Sequence, residues 1–184
     1  MYFFDQRLGF RAVARQRADV VNMRLMFDVM GPAEGDIEAH ITALAELQQR
    51  GLIRHIGLSN ATSRQVRQAR SIANVVCVQN QYNLVDRHDD ALIDELAKEG
   101  IAYVPFFPLG GFSPLQSAIL SEVAAQLGAT PMQTALAWLL QRSQNSLLIP
   151  GTSSLAHLRQ KPAAAELILP PEAVHKLNGI VTSA

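Results

Sequence analysis

The sequence predicts a parallel α/β fold of the (β/α)8 TIM-barrel type, incomplete, with about five of eight strands present and the N-terminal strands missing. Three observations predict it. From about residue 19 short β-rich runs alternate with longer stretches of helical period, the pattern of parallel strands joined by right-handed helical crossovers. The runs Val75-Val76-Cys77-Val78 and Ile101-Ala102-Tyr103-Val104 are apolar at nearly every position, as in strands covered on both faces. An open doubly wound sheet shares this signature, but no Gly-x-Gly-x-x-Gly follows any strand, and the pair Gly110-Gly111 lacks that spacing.

Residues 1–18 form a lead-in with room for a helix and little more, and residues 19–184 form the partial barrel. The first strand is expected at 20–25. A turn at 31–35 precedes a helix over 36–50, in which Ile37, Ile41, Leu44, Ala45 and Leu47 keep helical spacing and Gly51 closes the end. A strand at 53–58 leads to a helix at 63–72, with Thr62 or Ser63 as its cap. Strand three spans 75–79. A helix at 89–99, closed by Gly100, leads to strand four at 101–106. The helix then doubles. Residues 116–127 end at Gly128, and Thr130-Pro131 restarts a helix over 131–142 that buries Met132, Ala135, Leu136 and Leu139. A short strand at 147–149 and helices at 154–165 and 171–177 complete the chain.

Composition excludes several classes. The 184 residues carry 16 Lys+Arg against 16 Asp+Glu with no basic stripe, so no nucleic acid is expected as a partner. The N-terminal Met-Tyr-Phe-Phe-Asp reaches Asp5 too soon for a signal peptide, and no apolar run has membrane-spanning length, so a cytoplasmic protein without a membrane partner is expected. The single cysteine, Cys77, rules out an internal disulfide and reads as a buried structural thiol. His40 reads as a surface residue, His55 as a buried and satisfied imidazole, and His88 and His175 as loop or helix-start positions. None pairs at metal-ligand spacing, and no metal site is expected.

In a β/α barrel the site is built at the C-terminal ends of the strands. Those ends read Arg24, then Ser59-Asn60, then Gln79, then Phe106-Phe107 with Gly110, then Gly151-Thr152-Ser153-Ser154. Amide, hydroxyl and aromatic groups dominate, and carboxylates are absent. Such a set holds a planar amide-bearing ring and a phosphate-rich tail, without supplying a general acid or nucleophile. Each residue has a plainer reading. Ser59-Asn60 makes a turn and cap, Phe106 and above all Phe107 belong to a core, Gly151–Ser154 caps a helix, and Arg24 pairs with an acid.

The run Gly51-Leu52-Ile53-Arg54-His55-Ile56-Gly57-Leu58-Ser59-Asn60 resembles the G-x-[IV]-R-x-[IV]-G-[VL]-S-N signature of aldo/keto reductases. Val78-Gln79-Asn80-Gln81-Tyr82-Asn83 resembles the family's Gln-x-x-Tyr-Asn strand end, and Phe106-Phe107-Pro108-Leu109-Gly110 its Tyr-Ser-Pro-Leu-Gly. The helix segment Ala135-Leu136-Ala137-Trp138-Leu139-Leu140 and the run Ile149-Pro150-Gly151-Thr152-Ser153-Ser154 follow in the right order. In detail the chain is similar to the bacterial pyridoxal reductase-like branch. The resemblance implies NADP(H) and hydride transfer to a small-molecule carbonyl. Ser59, Asn60 and Gln79 would hydrogen-bond the nicotinamide carboxamide and Phe106 would stack on its ring. Leu109 and Gly110 would line the pyrophosphate, and Gly151, Thr152 and Ser153 would approach the 2′-phosphate with His157 nearby.

Departures from that pattern set the remaining expectations. No segment matches the strands that carry the family's catalytic Tyr, Asp and Lys, and Arg24 takes the position of its His. The family's Glu-Asn pair for adenine reads Gln160-Lys161. The chain is therefore expected to be a truncated NADPH-dependent carbonyl reductase, inactive alone, that self-associates or pairs with a complementing N-terminal half. The alternative is a nucleotide-binding, regulatory or structural module without catalysis.

Overall fold

A computed structural model describes residues 20–24, 35–111 and 117–180, and the expected lead-in at 1–18 and all but the last residue of the expected turn at 31–35 lie outside them. The chain divides into two compact units, Met1–Gln79 and Asn80–Ala184.

The first unit has strands β1 (Val20–Arg24), β2 (His55–Ser59) and β3 (Val75–Gln79) and helices α1 (Glu38–Gln49) and α2 (Ser63–Ile72). All pairing is parallel, β1 on β2 and β2 on β3. α1 starts where the Asp36 carboxylate accepts the Glu38 N–H at 3.0 Å. It stops at Gly51, whose φ of +69° lets Leu52 N–H return to the Leu47 carbonyl at 3.0 Å. α1 buries Ile37, Ile41 and Ala45, while Leu44 and Leu47 are half-buried. α2 begins on a reciprocal cap, Thr62 with Gln65, and Thr62 is the cap of the two candidates.

The second unit contains α3 (Asp90–Lys98), a two-residue β4 (Ala102–Tyr103), α4 (Ala118–Gln126), α5 (Pro131–Arg142), α6 (Leu155–Gln160) and α7 (Pro171–Asn178). Two expected strands shrink. The fourth stops at Tyr103, and Phe106 makes only an isolated bridge to Gln81. The fifth is not a strand. One bridge, Tyr103 to Ser146, marks it, with Leu147 N–H on the Tyr103 carbonyl at 2.8 Å. Five full strands were too many, because β propensity in 104–106 and 147–149 meets no continuous partner among the described residues. The expected helix at 154–165 is likewise broken. Pro162 has no N–H to donate, so α6 ends at Gln160 and a 3-10 turn, Pro162–Ala165, follows.

The core of this unit is an aromatic cluster. Tyr82 stacks on Trp138 at 6.0 Å between ring centres and meets Tyr103 edge-on at 5.8 Å. Trp138 donates its indole N–H to Asn178 at 2.8 Å, tying α5 to the end of α7. α5 buries Thr134, Ala135, Leu136, Ala137, Trp138 and Leu139, a wider face than the spacing suggests, and Met132 is only half-buried. Arg142 closes the helix by donating to Asp90 at 3.1 Å and Asp94 at 2.8 Å, and these carboxylates hold its guanidinium firmly charged.

Trp138→Ala removes the centre of this packing. It should lower stability by about 3–5 kcal/mol in urea titrations followed by circular dichroism. Burial raises the pKa of both Tyr82 and Tyr103, and contacts to Asp90 and Asp89 respectively add to it. A raised native pKa means stability is held below the unfolded value and lost above it. The unfolding midpoint should therefore fall as pH rises beyond about 10.

Candidate cofactor site

The first unit supplies a rim by register. Arg24 lies opposite Ser59 on β1 and β2, and Ser59 lies opposite Gln79 on β2 and β3. This level is not automatic. β3 starts with Val75 opposite Ile56, so an unbroken ladder would put Val78 opposite Ser59. A one-residue irregularity between Ile56 and Gly57 pairs Gly57 with Cys77 instead and brings Gln79 level with Ser59. The extra residue is Val76 of β3, which is skipped opposite the Ile56–Gly57 step.

Asn60 follows Ser59 with φ +54°, a left-handed conformation that asparagine tolerates better than most residues. Its N–H donates to the Gln79 carbonyl at 3.0 Å, which extends the ladder one step past the end of β2. Ser59, Asn60 and Gln79 are all half-buried, so hydroxyl and amide groups remain reachable at the C-terminal end of the sheet.

The second unit supplies an aromatic turn. Phe106 donates its N–H to the Asn80 carbonyl at 2.9 Å and accepts from Tyr82 N–H at 3.3 Å. Phe107 then turns left-handed at φ +53°. Its carbonyl accepts from Gly110 N–H at 3.0 Å and from the Asn83 side-chain amide at 3.1 Å, and these two bonds hold the strained residue. The Phe106 and Phe107 rings meet edge-on at 5.1 Å. Both are half-buried, so Phe107 is not the core residue its apolar character suggested, because the turn lifts it out of the strand. Leu109 and Gly110 are half-buried beside it.

Below this turn lies a polar cluster that sequence reasoning missed. Asp89 is buried at the start of α3, where an acid reads as an ordinary helix-start residue, yet its side chain does not cap. It accepts from the Asn80 amide at 2.7 Å and from the Tyr103 hydroxyl at 2.8 Å. Asn80 thus carries Phe106 on its carbonyl while Asp89 holds its side chain. The repeated asparagines at 80 and 83 were the available signal.

The third group, Gly151, Thr152, Ser153 and His157, is exposed. The Thr152 hydroxyl accepts from Ser154 N–H at 3.1 Å, and the Ser154 hydroxyl accepts from His157 N–H at 3.4 Å. Lys161 reaches back and donates to the carbonyls of Pro150 at 2.6 Å and Gly151 at 2.9 Å.

Other expectations need correction. His55 is half-buried, and its Nδ1 is buried without a hydrogen-bond partner among the described residues, so it is not a satisfied imidazole. Cys77 is half-buried rather than buried, as is Val76, so β3 is not covered at every position. Desolvation still pushes its thiol pKa up. His175 sits in the last turn of α7, not at a helix start. Among the described residues no group of three metal-ligating side chains occurs, and no helix is long and apolar enough to cross a membrane.

These strand-end amides and the phenylalanine turn fall within a sequence profile of the aldo/keto reductase family that matches residues 14–182. The chain belongs to the aldo/keto reductase family. It is 68% identical to pyridoxine 4-dehydrogenase of Escherichia coli K12 over 163 residues, 88% of this chain and 57% of that protein. An uncharacterised oxidoreductase of Schizosaccharomyces pombe is 39% identical over 136 residues, 73% of this chain and 44% of that one. The chain thus spans about half the length of these curated relatives. Among solved structures, a thermostable aldo-keto reductase bound to the inhibitor epalrestat is 32% identical with a TM-score of 0.73, covering 94% of this chain and 64% of that one. The aldose reductase of Giardia lamblia, 22% identical over 80% of this chain and 51% of that one, shares the fold with a TM-score of 0.71.

Two substitutions probe the aromatic turn. Asp89→Ala removes the acceptor shared by the Asn80 amide and the Tyr103 hydroxyl, and should cost about 1–3 kcal/mol, measured by urea denaturation. A Cβ on Gly111 would lie 2.8 Å from the Phe107 ring at a φ of +67°. Gly111→Ala should therefore shift the amide resonances of residues 106–110 while leaving α5 unchanged.

Proposed function

We propose that the chain binds NADP(H) and serves an aldo/keto reductase that interconverts an alcohol and its aldehyde, with a pyridoxine-like substrate. Support for the cofactor comes first from the register that levels Arg24, Ser59 and Gln79 at the C-terminal ends of three adjacent parallel strands. A carboxamide needs one acceptor for its NH2 and one donor for its oxygen, and serine, asparagine and glutamine supply both. The donor set therefore fits a nicotinamide carboxamide. Phe106, half-buried and held at both its N–H and its carbonyl, fits a ring-stacking role. Leu109 and Gly110 are assigned to the pyrophosphate, and Gly151, Thr152, Ser153 and His157 to the adenosine phosphate. The chain is proposed to have the (β/α)8-type fold in part and to act in the cytoplasm.

A bound nicotinamide supplies the hydride, and the carbonyl oxygen must then gain a proton. Arg24 can stabilise charge developing on that oxygen, but a guanidinium does not give up its proton at neutral pH. The substrate class rests on the 68% identity to pyridoxine 4-dehydrogenase.

The polypeptide of these 184 residues should bind NADPH and turn over pyridoxal at a negligible rate. Fluorescence titration with NADPH should saturate, and Gln79→Ala should weaken binding by about tenfold, the effect of losing one or two amide hydrogen bonds. Titration without saturation would remove the cofactor assignment. Steady NADPH oxidation above a heat-killed control would remove the claim of inactivity, and a complementing N-terminal half should restore turnover.

A further inference from the structure

The loop assigned to the adenosine phosphate carries no charge of its own, since Gly151, Thr152, Ser153 and Ser154 are neutral. The surrounding sequence is one-sided. No acidic residue occurs between Glu122 and Glu166, whereas Arg142, His157, Arg159 and Lys161 fall in that interval. Arg142 is engaged by Asp90 and Asp94. His157 and Arg159 lie exposed on α6. Lys161 alone folds back on the loop, donating to the Pro150 and Gly151 carbonyls at 2.6 and 2.9 Å.

That arrangement leaves chemistry unused. An ammonium has three N–H donors, and two are taken by the carbonyls. Among the described residues the third has no partner and no carboxylate pairs with the charge. Lys161 is half-buried, and desolvation lowers its pKa. A partly desolvated cation without a counter-ion is stabilised by an anion that reaches its free N–H. The two carbonyl bonds also hold the Pro150–Gly151 and Gly151–Thr152 peptides, which sets where Thr152 and Ser153 begin. Replacing the family's asparagine at this position therefore removes an amide and adds an anchored charge.

We propose that Lys161 is a specificity-determining residue, which orders the 150–153 loop and directs its remaining N–H to a phosphate monoester, selecting a 2′-phosphorylated nucleotide over the unphosphorylated one. This rests on the reading of the chain as a nucleotide-binding aldo/keto reductase. The preference resides in one side chain that the loop motif does not include.

The test compares the whole chain with Lys161→Met and Lys161→Arg, using 2′,5′-ADP and 5′-AMP as probes in calorimetry, with NADPH and NADH alongside. The unsubstituted chain should favour 2′,5′-ADP over 5′-AMP. Lys161→Met should weaken 2′,5′-ADP by about tenfold or more, with 5′-AMP changed less than about twofold, and Lys161→Arg should keep part of the preference. Amide exchange at Thr152 and Ser153 should speed up in Lys161→Met without any ligand, while exchange in α5 stays the same. An unchanged preference in Lys161→Met overturns the proposal, as does an unsubstituted chain that does not distinguish the two probes. Discrimination of 2′,5′-ADP that persists while NADPH binds no more tightly than 2′,5′-ADP sinks the nicotinamide assignment and leaves Lys161 standing.

Discussion

The register of three parallel strands is the constraint on which the site in the first unit depends. Side chains alternate faces along a strand, so a slip of one residue exchanges the group presented at any level. Across β2 and β3 the ladder starts with Ile56 opposite Val75 and finishes with Ser59 opposite Gln79, one residue out of step. The irregularity at Ile56/Gly57 is the difference between an amide and a valine at the level of Ser59. The Asn60 N–H on the Gln79 carbonyl then locks the end of the ladder, at the expense of a left-handed asparagine. The level at which these groups stand in this unit is set by backbone hydrogen bonding first and side-chain identity second.

The second unit solves a related problem with side chains. Its strand is only two residues long, so the sheet cannot hold Phe106. Asn80 and Asn83 do so instead, one through its carbonyl and the other by capturing the Phe107 carbonyl. A buried carboxylate, Asp89, is the anchor behind Asn80. Buried charge is costly unless hydrogen-bonded, and here both donors come from groups that also need a partner. The aromatic cluster of Tyr82, Tyr103 and Trp138 lies against the same groups, so packing and polar satisfaction restrain the turn together.

How much of this could be read from the residues varies by element. Helices with strong caps were legible to the residue: Thr62 with Gln65 marks α2, and Thr130-Pro131 marks α5. β3 was legible because an unbroken apolar run lies between two helices. The strands at 101–106 and 147–149 were overread, since propensity does not report whether a partner strand is available. The candidate-site residues could be named from sequence only as residue types in order, and the structure adds local geometry that types cannot encode. The bulge that levels Gln79, the left-handed turns at Asn60 and Phe107 and the inward rotation of Asp89 are all tertiary outcomes. Lys161 was visible only as a departure from pattern, and its carbonyl bonds give the departure a physical content.

The levelled rim is tested most directly by following backbone amides in a 15N-labelled chain titrated with nicotinamide mononucleotide. The account predicts that Ser59, Asn60 and Gln79 shift together along one binding curve, while His55 and Val75 at the opposite strand ends stay fixed. Shifts confined to His55 and Val75, or a response from Gln79 without Ser59 and Asn60, would contradict it.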